Sequence, residues 1–286
     1  MTSETKISGT TDLKIREIIG ADEMRAVEEL QKDVWGFADL DVVPLTQLVA
    51  AVHAGGVVLG AFDGKTLAGF AYGFAGLEHG RVTHHSHMLA VDPAYRNSGI
   101  GYRLKLAQRD FTLAQGISEM TWTFDPIQSL NAYFNFSRLG VIADRYLVDF
   151  YGSESGSFLH RNGTDRLWVT WRLSSGAVEE RLLDARPIYP VERAGCLLKV
   201  ADDDGPEITG PTPDAGEDLV LIEIPADIGK LEKRDSELAQ EWRSATRRVF
   251  VDAFAAGFVA VDFLKVTDEA KKLRAGRYVL TRDKTP

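Results

Sequence analysis

Apolar positions along the first 175 residues follow two spacings, one typical of strands and one typical of helices. Residues 57–62 and 67–74 are predicted as strands, and the Asp63-Gly64 pair between them indicates a hairpin. Residues 45–52 carry apolar side chains at i, i+3, i+4 and i+7 after Pro44, a pattern typical of an amphipathic helix. Continued along the chain, these spacings predict the order β-α-α-β-β-β-α-β-α-β-β.

Sequential hairpins combined with β-α-β crossovers indicate an α/β (α+β) fold, with a mixed, mostly antiparallel sheet flanked by helices. An acidic stretch at 201–218, rich in proline and glycine, predicts a solvated loop. Beyond it, strand and helix patterns resume, so we expect a smaller C-terminal α/β subdomain. The predicted domains are therefore 1–175, a connector at 176–218, and 219–286.

Composition excludes several classes of protein. The net charge of −9 disfavours nucleic acid and anionic membranes as partners. The first residues are polar and lack the apolar core of a signal peptide, and no apolar run reaches the roughly 20 residues of a membrane helix. Cys196 is the single cysteine, so no intrachain disulfide can form. We expect a cytoplasmic protein.

The most informative segment is HSHMLAVDPAYRNSGIG, residues 85–101. A predicted strand over 82–92 runs into a turn that contains Gly99 and Gly101, and then into an amphipathic helix. The first N–H groups of a helix lack partners and lie at the positive end of its dipole, so such a turn can bind phosphate. Glycine allows the backbone to approach the anion closely.

The Arg96-x-x-Gly99-x-Gly101 spacing resembles the acyl-CoA-binding motif of the GNAT superfamily of N-acyltransferases, and the predicted element order from Leu13 to Leu173 resembles its fold. This resemblance implies an acyl-CoA cosubstrate, acetyl-CoA or succinyl-CoA, and no metal. Backbone groups of the turn would bind the CoA pyrophosphate, and Leu89 and Val91 would offer strand backbone to the pantetheine arm. The implied turn residues are Arg96, Asn97, Ser98, Gly99, Ile100 and Gly101.

Residues i and i+2 of a strand share a face, so His85 and His87 should point the same way, as should Leu89 and Val91 further along. The His-x-His-x-Leu-Ala-Val run is similar to the corresponding strand of serotonin N-acetyltransferases, a GNAT subgroup in which two histidines relay a proton through water. His85 and His87 are thus candidates to deprotonate an ammonium substrate. They could instead be structural polar groups. A metal site that includes His84 is disfavoured, because His84 faces the other way.

Many GNAT enzymes place a tyrosine, the general acid, in the helix after the fifth strand. Aligned on Gly140, that position is Phe136, which has no proton to donate. Tyr133 lies three residues earlier and is the substitute candidate, with a core aromatic as the alternative. Asp125, in the Asp125-Pro126 pair, could bind an amine or act as a base, or could simply begin a turn.

The predicted function is direct transfer of an acetyl or succinyl group from CoA to a primary amine of a small molecule, such as an amino acid. The TFDP run (123–126), the Asn-rich helix that follows it and the long tail resemble a bacterial GNAT subgroup. That resemblance implies succinyl-CoA as an alternative donor, because the subgroup includes N-succinyltransferases. The alternative is a non-catalytic acyl-CoA sensor, motivated by Phe136. The apolar face of the helix predicted over 238–253 suggests a homodimer. Arg81, Arg138 and Arg145 are candidates to pair with a substrate carboxylate.

Overall fold

The computed structural model of the protein describes residues 13–152, 162–210, 216–268 and 272–282. The chain forms two compact units, residues 1–117 and 118–286. The polar N-terminal segment, 1–12, and part of the predicted acidic loop, 211–215, lie outside the described residues.

Over its described residues, 13–117, unit 1 is a four-stranded meander with three α-helices. Its strands pair antiparallel in chain order, each with the next. Glycine ends the first helix, since Gly36 adopts the left-handed conformation and donates its N–H to the carbonyl of Lys32. The elements are β1 (Lys14–Glu17), α1 (Ala21–Trp35), α2 (Leu45–His53), β2 (Val57–Asp63), β3 (Thr66–Glu78), β4 (Arg81–Val91) and α3 (Ile100–Ala114).

The strands of unit 1 bury apolar side chains on both faces. Alternate residues separate into two clusters, because successive side chains of a strand point to opposite faces. One cluster joins Phe70 and Tyr72 of β3 to α1 and α2. The other joins Ala71 to Ile100 and Leu104 of α3. Strand β4 therefore lies between two packed layers, which positions its histidines.

Unit 2 contains the remaining strands in the order β5-β7-β6-β11-β12-β10-β8-β9. Strands β8 and β10 are parallel, whereas β5–β7, β6–β7 and β11–β12 are among the antiparallel pairs. Its elements are β5 (Glu119–Phe124), α4 (Ser129–Ala132), a π-helical segment (Tyr133–Leu139), β6 (Ile142–Leu147), β7 (Arg166–Arg172), α5 (Gly176–Leu182), β8 (Gly195–Val200), β9 (Pro206–Ile208), β10 (Leu219–Pro225), α6 (Ile228–Arg234), α7 (Ser236–Ala255), β11 (Val259–Thr267) and β12 (Leu273–Thr281).

The predicted fold class and the order of elements through β7 are confirmed. Strand β6 ends at Leu147, and Asp149, with a φ of 46°, turns the chain just beyond it. Short α5, α6 and β9 carry too few residues for a periodic pattern and were not predicted. The domain boundaries at 175/176 and 218/219 remain predictions beside the structural division at 117/118.

The apolar face of α7 is buried inside unit 2. Trp242, Val249 and Phe250 are among its buried residues. That face therefore packs against the chain's own sheet, and the homodimer stays a prediction.

Candidate active site

Strand β4 runs through a tight turn into α3. A 3₁₀ turn (Pro93–Tyr95) follows the strand, and the Asp92 carboxylate caps it by accepting a hydrogen bond from the N–H of Ala94 at 2.7 Å. Gly99 is the N-cap of α3 with a φ of 80°, in the left-handed region that glycine adopts without a Cβ clash. The predicted glycine turn is therefore present where β4 meets the helix.

This turn is open to solvent. Residues 96–99 are exposed, whereas Ile100 behind them is buried. No side chain caps the helix at Gly99, so the first N–H groups of α3 point outward at the positive end of the helix dipole. A Cβ added at Gly101 would make only ordinary contacts, 3.8 Å to Val91 and 3.9 Å to Leu89. The chain's own packing therefore leaves room for a Cβ there.

Strand β4 contains a β-bulge at His87. Met88 lies opposite Tyr72 of β3, but the next pair is Ser86 with Gly73, so His87 is the extra residue. An extra residue exchanges the faces of everything beyond it. The alternation across 85–91 predicted from the sequence therefore breaks at this point.

The bulge separates the two candidate groups on β4. His85 and His87 lie together, with ring centroids 6.1 Å apart, and both contact Phe74 on the face shared with α1 and α2. Leu89 and Val91 pack instead in the cluster that contains α3. The histidines point the same way, as predicted, but Leu89 and Val91 point to the opposite face.

Both candidate imidazoles are neutral near pH 7. Burial, followed by the charges of His87 and Lys105, lowers the pKa of His85 to about 4. Desolvation by its neighbours also lowers the pKa of His87, although part of its ring reaches solvent. A neutral imidazole can accept a proton, but a pKa of about 4 makes His85 a weak base near pH 7, which leaves His87, the ring that solvent reaches, as the better candidate for the general base.

A buried polar network lies on the opposite face of β4, where it meets α3. Lys105 Nζ donates to Ser86 Oγ at 2.7 Å, and Ser86 Oγ donates to Gln108 Oε1 at 2.7 Å. Gln108 Nε2 lies 3.3 Å from His84 Nε2. A Cβ at Gly73 would lie 2.3 Å from His84 Nε2, so glycine is required beside the network.

The network fixes the tautomer of His84. An amide nitrogen can only donate, so His84 Nε2 accepts and the proton of the neutral ring is on Nδ1. That Nδ1 has no hydrogen-bond partner among the described residues. Burial lowers the pKa of His84 to about 4, and burial also lowers the pKa of Lys105 well below its usual value. Sequence reasoning missed this network, because Lys105 and Gln108 look like ordinary polar positions of a helix.

In unit 2, Phe136 and Tyr133 have different surroundings. Phe136 is fully buried against Phe124 and Tyr278. Tyr133 is half-buried, and its hydroxyl accepts a hydrogen bond from Arg186 at 3.0 Å. The two residues do not follow the one-turn relation of an α-helix, because the segment is π-helical. Tyr133 is therefore not an aromatic residue of the core, which was the alternative to its role as the general acid.

Asp125 is held by a buried arginine. Arg243 Nη1 and Nη2 donate to the two carboxylate oxygens at 2.7 and 2.8 Å, and the N–H of Ile127 adds a third hydrogen bond. The side chains of Asp125 and Arg243 are only 15% and 7% exposed. Both oxygens are engaged, so the structure assigns Asp125 a structural ion pair in place of the role of a base.

Two cationic side chains near Tyr133 were not predicted from the sequence. Arg186 and Lys265 both approach its ring. Of the predicted arginines, Arg138 also acts on Tyr133 by its charge while it faces Asp184 at 3.5 Å, and Arg145 stacks on a tryptophan. Arg186 is 53 positions from Tyr133 in sequence, so no local pattern joins them.

The described residues give no support for catalysis by a thiol, for a metal site or for a membrane-spanning helix. Burial raises the pKa of the Cys196 thiol to about 11, which disfavours a nucleophilic role. No group of three or more His, Cys, Asp or Glu side chains is arranged to hold a metal ion in the ranges that the structure covers. Within the same ranges, no helix has the length and apolar character needed to span a bilayer.

Comparison with known proteins identifies the family. Residues 22–136 match the sequence model of the Acetyltransferase (GNAT) family. This segment of the chain is therefore a GNAT acetyltransferase segment. The matched segment contains both the histidine strand and the glycine turn, and it ends shortly after Tyr133. No curated protein matches the chain.

Solved GNAT structures resemble part of the fold. The ribosomal-protein-S18-alanine N-acetyltransferase of Escherichia coli is 14% identical, with a TM-score of 0.47 over 57% of this chain and 96% of that one. A GNAT family acetyltransferase from Elizabethkingia anophelis, solved with acetyl-CoA bound, is 15% identical, with a TM-score of 0.43 over 57% and 99%. The PaiA N-acetyltransferase of Thermoplasma acidophilum, in complex with coenzyme A, is 16% identical, with a TM-score of 0.40 over 56% and 99%.

Proposed function

We propose that this GNAT protein transfers an acyl group from acyl-CoA to the primary amine of a small molecule, such as an amino acid. The observation that carries the proposal is the continuity of β4, the exposed glycine turn and α3 in unit 1. One element thus offers a pair of neutral imidazoles and, a few residues on, an anion-binding helix terminus for the CoA pyrophosphate. Acetyl-CoA and succinyl-CoA are the proposed donors.

In the proposed reaction the amine attacks the thioester carbonyl directly. A C–N bond forms and the C–S bond breaks, and the departing CoA thiolate takes the second proton from the attacking nitrogen, so that the products are the amide and free CoA thiol. The substrate ammonium must first lose a proton, which passes to the imidazole pair. His87 is the better acceptor because part of its ring reaches solvent, and His85 lies close enough behind it for a water to bridge the two rings.

The test measures thiol release from acetyl-CoA and succinyl-CoA with a panel of small primary amines. The double variant His85→Ala/His87→Ala should lose about 100-fold or more in kcat, because general-base catalysis is typically worth that much. CoA affinity, measured by calorimetry, should stay unchanged. His53→Ala, at an exposed histidine at the end of α2, is the matched control and should keep the wild-type rate.

The outcomes separate the alternatives. An unchanged rate in the double variant would remove the histidines from the mechanism. CoA binding without transfer to any amine would favour the sensor, for which the buried Phe136 in the usual tyrosine position is the motivating observation. Absence of CoA binding would refute both the acyltransferase hypothesis and the sensor hypothesis.

A further inference from the structure

Two cations from the C-terminal part of the chain converge on Tyr133. Lys265 Nζ of β11 lies 3.9 Å from the centroid of the Tyr133 ring, and the Arg186 guanidinium carbon lies 5.5 Å from it. Arg186 Nη2 also donates to the Tyr133 hydroxyl at 3.0 Å. Tyr133 is inside the segment that matches the GNAT family, whereas Arg186 and Lys265 lie beyond its end at residue 136. The C-terminal extension therefore adds charge to a residue of the family domain.

These two charges are only partly compensated by the protein around them, since Asp262 and Asp184 act on Arg186 by their charge without pairing with it. Among the described residues, neither Arg186 nor Lys265 forms an ion pair with a carboxylate. The neighbouring acids already have partners: Asp262 is buried against Arg181 at 3.3 Å, and Asp184 faces Arg138. A chain with a net charge of −9 thus places two excess cations around one phenol.

The arrangement has the chemistry of an anion receptor. Arg186 and Lys265 are exposed, and they offer a planar guanidinium and a mobile ammonium, while the Tyr133 hydroxyl can donate a further hydrogen bond. A hydrogen bond from Arg186, followed by the charges of Arg186, Lys265 and Arg138, lowers the pKa of Tyr133. The site therefore stabilises negative charge on the one oxygen that it already surrounds.

We propose that Arg186, Lys265 and the Tyr133 hydroxyl form a binding site for a substrate carboxylate. A carboxylate matches the small donor set, because its two oxygens can take the guanidinium and the ammonium together. Two sources share this chemistry: a dicarboxylic acyl group on CoA, and the α-carboxylate of an amino acid acceptor. In naming the ligand as a substrate, the inference rests on the proposed acyl transfer.

The test compares substrates that differ only in the carboxylate. The donor arm measures Kd for succinyl-CoA and acetyl-CoA by calorimetry. The acceptor arm measures KM for an amino acid and for its carboxamide, with acetyl-CoA as donor. The double variant Arg186→Gln/Lys265→Gln should weaken binding of the carboxylate-bearing member by about tenfold or more in one arm, because hydrogen bonds between a cation and a carboxylate are stronger than neutral ones. The uncharged member should be unaffected.

Arg248→Gln is the matched control, because Arg248 is an exposed arginine of α7 in the same unit. It should leave both arms at wild-type values. Tyr133→Phe keeps the ring under Lys265 and removes only the hydroxyl, so a smaller loss in the same arm is expected. Circular dichroism of each variant checks that the fold is retained, as expected for exposed side chains.

Free succinate keeps the inference testable apart from the activity. If no CoA thioester binds, the proposed function fails, but the wild type should still bind succinate more tightly than the double variant does. If turnover is normal and the carboxylate preference is absent, or survives in the double variant, the carboxylate site is refuted while acyl transfer stands.

Discussion

His84 makes unit 1 sensitive to acid, and the change His84→Gln should remove that sensitivity. The imidazole is fully buried on β4, and its pKa is lowered to about 4. In the unfolded chain a histidine titrates near 6.5. Below that pH the unfolded state takes up a proton that the folded state refuses. The contribution of His84 to stability is therefore complete above pH 6.5 and is lost as the pH falls toward 4.

The expected magnitude follows from the two pKa values. Between pH 8 and pH 5, a shift from 6.5 to about 4 costs about 2 kcal/mol of the free energy of unfolding. His85, with a similarly lowered pKa, should add a loss of the same sign that is smaller, because its ring is partly exposed. Glutamine at position 84 can still accept the hydrogen bond from Gln108 through its amide oxygen, but it does not titrate.

The assay is urea unfolding followed by circular dichroism at pH 8 and at pH 5. The wild type should lose about 2 kcal/mol more than His84→Gln between the two values. His53→Gln shows how much the loss of an exposed histidine contributes by itself. Equal losses in the wild type and His84→Gln would show that His84 is not held neutral by burial, and the argument would fail.

Three further changes test the packing. Gly73→Ala should destabilise unit 1 by about 1–3 kcal/mol in urea unfolding, because its Cβ would lie 2.3 Å from a ring nitrogen, whereas Gly76→Ala on the same strand has space and should be neutral. Asp125→Asn should lower the free energy of unfolding by about 3–5 kcal/mol, because it leaves the buried Arg243 of α7 without its ion pair. A variant with normal stability and no activity would instead indicate that Asp125 acts as a base. Gly99→Ala should lower the thermal midpoint of unfolding, because alanine is strained at a φ of 80°. Gly101→Ala should raise the midpoint slightly, because alanine has a higher helix propensity than glycine. A higher midpoint for Gly99→Ala than for Gly101→Ala would contradict the description of the turn.

Local patterns in the sequence were sufficient for the order of elements through β7 and for the resemblance to the GNAT family. The helix and strand periods, Asp63-Gly64 and the glycine at position 99 act over a few residues, so their effect does not depend on the rest of the fold. The same holds for the strand–turn–helix motif, in which the histidines and the glycine turn are neighbours in the chain. The GNAT resemblance therefore depends on residues that are close in the chain and not on their tertiary contacts.

Only the tertiary structure decided what surrounds each candidate side chain. The bulge at His87 depends on register with β3, which exchanges the faces expected for Leu89 and Val91. Asp125 meets its arginine partner across 118 positions, and Tyr133 meets Arg186 across 53. Contacts between residues so distant in sequence arise from packing, and no periodicity encodes them. The sequence by itself determined the strand, the turn and the family, whereas packing decided which polar groups are bound and which stay available for chemistry.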